Sequence, residues 1–221
     1  MTVGIGIITC NRPHLLQQAL KHHNNFSSTA DRLFIYNDSV NQKGIAYGKN
    51  KCIETLKDFD YIFLFDDDCY PVKDGWIEFM IEAHEASRQH HFLFMDKNHH
   101  KYVKTWLPNS ECSIDLYDDC GGVFMSLTKE AVNKVGYLDS RYKRYGYEHA
   151  GYSRRIHLSG LNSKPFMMPT GLGEYLYAHD YNEKIESALP VDVRDEFVEY
   201  NDGIYHDELK NWHNLKRDSY E

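Results

Sequence analysis

An α/β fold of three layers, built on a mainly parallel central sheet, is what the first hundred residues predict. Short apolar runs rich in β-branched and aromatic side chains alternate with stretches of helical periodicity, in the order β-α-β-α-β-α-β. Three of the apolar runs end in polar residues: Thr9-Cys10-Asn11-Arg12, Asn37-Asp38 and Asp66-Asp67-Asp68. Ligands of such sheets bind beyond the carboxyl ends of the strands, so these polar ends are expected to converge at one edge.

Val3 to Thr9 is a β-branched run and reads as the first strand. Pro13 suits the first turn of the helix that follows, with Leu15, Leu16, Ala19 and Leu20 on one face. Leu33 to Tyr36 is a second strand, stopped by Asn37-Asp38-Ser39. Ala46 to Leu56 reads as a helix burying Cys52, Ile53 and Leu56, and Tyr61 to Phe65 as the third strand. Gly75 to Ser87 is a helix with Trp76, Ile77, Met80, Ile81 and His84 inward, before a short strand from Phe92 to Met95.

The second half changes character. Residues 96 to 120 are polar and irregular, with Trp106 and Pro108 among them. Gly121-Gly122 opens an apolar strand, Val123 to Leu127, and Thr128 is an N-cap for a helix that ends at Gly136. Tyr147-Glu148-His149 precedes another helix ending near Gly160, and Lys164 to Met168 reads as a last strand. From about residue 181 the chain is strongly polar, and the spacing of Leu209, Trp212 and Leu215 suggests a final amphipathic helix. The expected organisation is a domain over 1–180 and a polar, helical extension over 181–221.

A net charge of −8 argues against broad binding to nucleic acid or an anionic membrane. Arg141, Lys143, Arg144, Arg154 and Arg155 still leave a local basic groove open. Five cysteines without a CxxC pair, and no secretory signal, favour a reducing cytoplasm over a disulfide framework. No apolar segment approaches the roughly 20 residues that span a bilayer.

The acidic triplet Asp66-Asp67-Asp68 carries the first chemical signal. Adjacent carboxylates repel, and a divalent cation with hard oxygen ligands removes that cost. Asp66 and Asp68 are the natural pair, because side chains two apart share a face in extended chain. The plainer reading is a solvated acidic turn.

In order and spacing, residues 3 to 180 resemble family-2 glycosyltransferases of the GT-A fold. Thr9-Cys10-Asn11-Arg12 resembles that family's nucleotide-binding start, and Asn37-Asp38-Ser39 its second-strand acidic turn. Gly44-Ile45-Ala46 with Lys49-Asn50 is similar to a segment that usually carries Arg-Asn, and Asp66-Asp67-Asp68 to its DXD motif. Gly121-Gly122, Val135 to Asp139, Gly146-Tyr147-Glu148, and Arg155 with Gly160 resemble its acceptor-side block. His179, in Tyr177-Ala178-His179-Asp180, resembles a C-terminal histidine that joins the metal in many GT-A enzymes.

The resemblance implies a nucleotide-binding half over 1–100, an acceptor half over 101–180, and sugar transfer from a nucleotide diphosphate sugar. UDP is the expected nucleotide, and inversion the expected stereochemistry. Mn²⁺ or Mg²⁺ would be held by Asp68, Asp66 and His179, the imidazole suiting Mn²⁺ better. Thr9, Cys10, Arg12, Asn37, Asp38, Lys49, Asp66 and Asp67 are the implied donor-binding residues. Asp38 or Asn37 would meet the base; Arg12 and Lys49 would hold phosphate or remain surface cations.

His149 stands where the family has an aspartate base, so Glu148 and His149 both remain candidates for that role. Gly121, Gly122 and Trp106 are implied on the acceptor side, Trp106 either stacking on a pyranose or filling the core. The acceptor itself is open: a glycan, a lipid-linked sugar, a protein or a modified nucleic acid. A catalytically silent nucleotide- or carbohydrate-binding protein is the competing reading. A phosphotransferase of the haloacid-dehalogenase type fits poorly, because its Asp-x-Asp lies on the opening strand. The histidine pairs His22-His23, His90-His91 and His99-His100 are expected on solvated faces.

Overall fold

The computed structural model describes residues 1–183, 189–211, 216–217 and 219–220. Along the chain run β1 (Val3–Thr9), α1 (Pro13–Phe26), β2 (Arg32–Asn37), α2 (Ile45–Leu56), β3 (Tyr61–Asp66), β4 (Cys69–Pro71), α3 (Trp76–Ser87) and β5 (His91–Leu93). Then follow β6 (Tyr102–Trp106), β7 (Ile114–Tyr117), β8 (Phe124–Thr128), α4 (Lys129–Val135), α5 (Glu148–Leu158) and β9 (Met167–Pro169). The chain continues with β10 (Leu176–Ala178), α6 (His179–Asn182) and α7 (Val191–Lys210).

The central sheet has the order β2-β1-β3-β8-β5. β1 pairs in parallel with β2 and β3, placing Ile7 between Ile35 and Phe65. The mainly parallel α/β architecture is therefore as expected, but the strand after α3 does not sit beside β3. Instead β8 inserts antiparallel, with Met125 opposite Leu64 on one side and Leu93 on the other. A continuously apolar run fits a central strand of either direction, so sequence pattern does not set this pairing.

Ile5 and Ile7 share a sheet face with Phe63 and Phe65. There Trp76 of α3 packs edge-on to both phenylalanines, at 5.0 and 5.5 Å between ring centroids, and donates its indole N–H to the Phe26 carbonyl at 2.8 Å. On the opposite face Cys52 and Leu56 of α2 pack directly over Gly6 and Gly4. Helices thus cover both faces, and the core runs through the sheet.

Three further expectations are corrected. Residues 96 to 120 are not irregular throughout: β6 and β7 join β9 in a separate antiparallel sheet. β6 is mostly exposed and lacks apolar alternation, so its pairing with β7 makes it a strand. The last strand predicted from Lys164 to Met168 is displaced to Met167–Pro169, and β10 follows it. The histidine pairs are split, because neighbouring side chains point apart. His23 and His91 are buried, and burial pushes both down to about 3. His91 is satisfied there by the Ser126 carbonyl at 2.9 Å and the Ser153 hydroxyl at 2.8 Å.

The C-terminal helix α7 docks on α5 through buried polar groups. Arg155 Nε lies 2.7 Å from Glu208 Oε1, Tyr142 donates to Glu208 Oε2 at 2.6 Å, and Arg155 also donates to the carbonyls of Val135 and Tyr137. Leu209 belongs to α7, whereas Trp212 and Leu215 lie outside the described residues. Among the described residues no helix is long and apolar enough to cross a membrane.

Candidate active site

Because β1 and β3 are parallel neighbours, their carboxyl ends bring Thr9–Arg12 against Asp66–Asp68. Asn11 turns the chain with a left-handed φ of 57°, which asparagine tolerates better than most residues, and its amide donates to Ser39 Oγ at 2.8 Å. The turn sets Arg12 between two carboxylates, 2.8 Å from Asp68 Oδ2 and in short contact with Asp67 Oδ1. Thr9 donates to Asp67 Oδ2 at 2.6 Å, so Asp67 is a buried brace between β1 and β3. Burial pushes the Asp68 carboxyl up to about 7 against the pull of Arg12, with Asp66, Asp180 and Asp67 adding to the rise. The triplet is therefore strongly congested rather than a solvated turn.

Thr9, Cys10, Arg12, Asp38, Asp66 and Asp68 line one cavity of about 160 Å³. Both Asp38 oxygens accept backbone amides, from Lys43 at 3.0 Å and Gly44 at 2.7 Å, so its carboxylate also holds the following loop. Asn37 is exposed, accepts the Ser39 amide at 2.9 Å and does not line the cavity.

Arg144, Asp180 and Arg194 complete the cavity wall without having been singled out as site residues. Arg144 comes close because Gly44, at φ 99°, has no Cβ; one there would lie 2.5 Å from the Arg144 Cα. The basic concentration from Arg141 to Arg155 was the available sequence signal for it. Arg194 arrives on α7, with its guanidinium 4.7 Å from the Tyr145 ring centroid. No local motif marked it.

β4 and β10 pair antiparallel, which lays His179 beside Asp68: the His179 amide donates to the Asp68 carbonyl at 2.9 Å. Asp68 Oδ1 and His179 Nδ1 are both buried without a hydrogen-bond partner. The Glu183 carboxylate is 3.6 Å from that nitrogen, beyond hydrogen-bonding reach, while Tyr70 OH is 3.3 Å from His179 Nε2. Among the described residues no ready-made cluster of three or more His, Cys, Asp or Glu is present. One or two carboxylates completed by phosphate oxygens and water is a usual arrangement for Mg²⁺, which the orphaned Asp68 oxygen fits; the orphaned imidazole nitrogen of the neighbouring His179 suits Mn²⁺ better.

A second cavity, of about 430 Å³, shares Ile45, Asp66, Tyr145 and Asp180 with the first. Glu148 and His149 line it from the first turn of α5, not ahead of that helix as expected. Gly146 and Tyr147 lead into the turn with left-handed φ values of 100° and 69°. A non-glycine residue held there stores strain of the kind found at functional sites.

Lys49 connects the two cavities from behind. Its buried ammonium reaches the Gly122 carbonyl at 2.6 Å, His149 Nε2 at 2.6 Å and Asp66 Oδ1 at 3.1 Å. An ammonium only donates, so His149 Nε2 accepts and the ring proton falls on Nδ1, 3.1 Å from Glu148 Oε1. Glu148 Oε2 is left buried with no partner. The neighbouring Asn50 bonds the Leu138 backbone with both ends of its amide, at 2.9 and 2.8 Å, fastening α2 to the loop before α5.

Gly122 lines the second cavity and lies flat against His149, where a Cβ would overlap the ring. Gly121 packs instead against Tyr181 and His100. Trp106 is half-buried on β6 and lines neither cavity.

No protein-family description matches the chain, and no curated protein sequence matches it. Its structure does resemble solved enzymes. One is Drosophila β1,4-galactosyltransferase 7 in complex with manganese, UDP-Gal and xylobiose, at 14% identity over 87% of this chain and 78% of that chain, TM-score 0.53. Another is a fragment of S. aureus TarS in complex with UDP, at 11% identity over 93% of this chain and 72% of that one, TM-score 0.53. A third is GalNAc-T7 with UDP, GalNAc and Mn²⁺, at 9% identity over 67% and 39%, TM-score 0.51. The chain has the GT-A glycosyltransferase fold.

Proposed function

We propose that this protein is a metal-dependent glycosyltransferase that moves a sugar from a nucleotide diphosphate sugar, UDP-linked, to an acceptor hydroxyl. The observation that carries the reading is the junction of two cavities at Ile45, Asp66, Tyr145 and Asp180, with Glu148, whose Oε2 is buried and unpartnered, lining the second. Donor and acceptor in adjoining pockets is the geometry a direct displacement requires. The structural neighbours carry UDP or UDP-Gal at a fold of the same kind, two of them with manganese.

In this reading the first cavity holds the nucleotide diphosphate. Arg144 and Arg194 supply positive charge against the phosphates, and Arg12 orders the acidic edge beneath them. Asp68 and His179, with Asp66 beside them, would hold Mn²⁺ or Mg²⁺, which when bound neutralises charge on the departing diphosphate. The acceptor enters the second cavity. Glu148 Oε2 takes the hydroxyl proton, the acceptor oxygen bonds to the anomeric carbon, and the bond to the diphosphate breaks with its electron pair. One displacement with one base inverts the anomeric centre.

His149 is the weaker base candidate, because its Nε2 lone pair already meets Lys49. It orients Glu148 instead. Incubation with UDP-sugars and Mn²⁺ tests the assignment. Donor turnover should be lost with a chelator and in Asp68→Ala. Transfer should fall by about 10²–10⁴ in Glu148→Gln, the range general-base catalysis commonly contributes, and less in His149→Gln. Binding of every UDP-sugar with no turnover would reject the enzyme reading.

A further inference from the structure

Within the transferase reading, the second cavity also speaks to the acceptor. We infer that it takes an uncharged or amine-bearing saccharide and excludes acceptors carrying phosphate, sulfate or carboxylate. Asp66, Asp118, Asp119, Glu148 and Asp180 line it against a single arginine, Arg154. Glu148 is buried, lines the space and keeps Oε2 without a partner, so at least one acceptor atom faces no protein donor.

Carboxylates accept hydrogen bonds from hydroxyl and ammonium groups but offer no proton to an anion. An acidic substituent brought into this lining meets like charge, which opposes binding strongly in a partly enclosed site. Arg154 is one countercharge among five carboxylates, and its Nε is buried without a hydrogen-bond partner. Its guanidinium lies 5.0 Å from the Phe166 ring centroid and 5.8 Å from that of Tyr205, stacked between aromatic faces. Those rings, with Tyr145 and Tyr147, provide the apolar surface on which a pyranose stacks.

Apart from Arg154, the basic stretch that kept a nucleic-acid acceptor open is deployed elsewhere, with Arg144 lining the first cavity. Arg141 and Lys143 line a different cleft, and Arg155 is buried against Glu208. A polyanion would therefore have to pass the carboxylates of Asp66, Asp118, Asp119 and Asp180 to reach Glu148.

The test reads binding on a glycan array, with UDP and Mn²⁺ present, so it does not depend on turnover. The array carries each oligosaccharide in neutral, amino-sugar and sulfated or phosphorylated form, alongside single-stranded DNA. Neutral or amino forms should be captured, with acidic counterparts about tenfold weaker or more. In Asp118→Asn and Asp118→Asn/Asp119→Asn that gap should narrow stepwise. Equal or tighter capture of acidic forms or DNA, or no saccharide captured at all, overturns the inference. Donor hydrolysis measured in parallel without acceptor judges the transferase reading separately.

Discussion

Lys49 donates to His149 Nε2 across 2.6 Å, although the two residues lie on different helices and 100 positions apart. The same ammonium faces Asp66 at 3.1 Å, so one buried cation ties the acidic triplet lining the first cavity to the Glu148–His149 pair lining the second. An arginine, usual at this position in the family resembled, would bring a larger planar group into a space with no exposed surface. Lysine fits as a compact point charge: two of its donors reach Gly122 O and His149 Nε2, and its charge lies 3.1 Å from Asp66 Oδ1.

Lys49→Met should therefore do more than remove a positive charge. It leaves Asp66 uncompensated and His149 Nε2 unpaired, and a buried pair broken on one side costs about 3–5 kcal/mol. Urea unfolding should register a loss near the lower end, because Asp66 is partly exposed. Stability within 1 kcal/mol of wild type, about the net worth of one ordinary hydrogen bond, would refute the bridging role.

Gly122→Ala adds one methyl group where the His149 ring lies. The ring must move, and with it the Nδ1 that faces Glu148 Oε1 at 3.1 Å. Donor affinity should stay near wild type while kcat for transfer falls by about 10²-fold, the scale of a 1 Å misplacement near the chemistry. An unchanged kcat would show that His149 does not set the position of Glu148.

Removing Arg155 or Glu208 alone should destabilise the protein by about 3–5 kcal/mol, since each leaves a buried charge behind. Arg155→Met/Glu208→Leu together should recover much of that loss. A double-mutant cycle in denaturant measures the coupling, and additive effects would argue against a direct pair.

Stability should decline in acid through the buried histidines. Burial holds His23 and His91 down to about 3 and His84 to about 4 in the folded chain, whereas the unfolded chain binds those protons near 6.5. The unfolded state therefore binds more protons between about 6.5 and the folded values. Their stabilisation is full above 6.5 and falls with pH by up to about 1.4 kcal/mol per unit for each histidine. Asp68, whose carboxyl is raised, acts in the opposite sense over about 4 to 7. Thermal midpoints from pH 7.5 to 4.5 should drop, and His84→Gln should flatten the slope; an identical slope would exclude His84 as a contributor.

Much of the fold was legible in local pattern. Val3–Thr9, the helices around Leu15 and Cys52, and the Thr128 cap with its Gly136 stop announced themselves through periodicity and capping chemistry. The polar strand ends predicted which edge would hold the cavity, because side-by-side parallel strands necessarily present the same end. Tyr102–Trp106 carried no such pattern, and the burial of His23 and His91 depended on which neighbour faced inward.

The choice between Glu148 and His149 lay beyond local pattern altogether. Sequence placed both side by side just ahead of a helix, beside a turn containing glycine. Tertiary structure decided which carried the free lone pair, by bringing Lys49 from α2 onto His149, and it recruited Arg194 from α7 to the first cavity. Alternation and capping act between residues a few positions apart and are written in the chain. Long-range donor–acceptor matching arises only when distant segments pack, so it is settled by the fold.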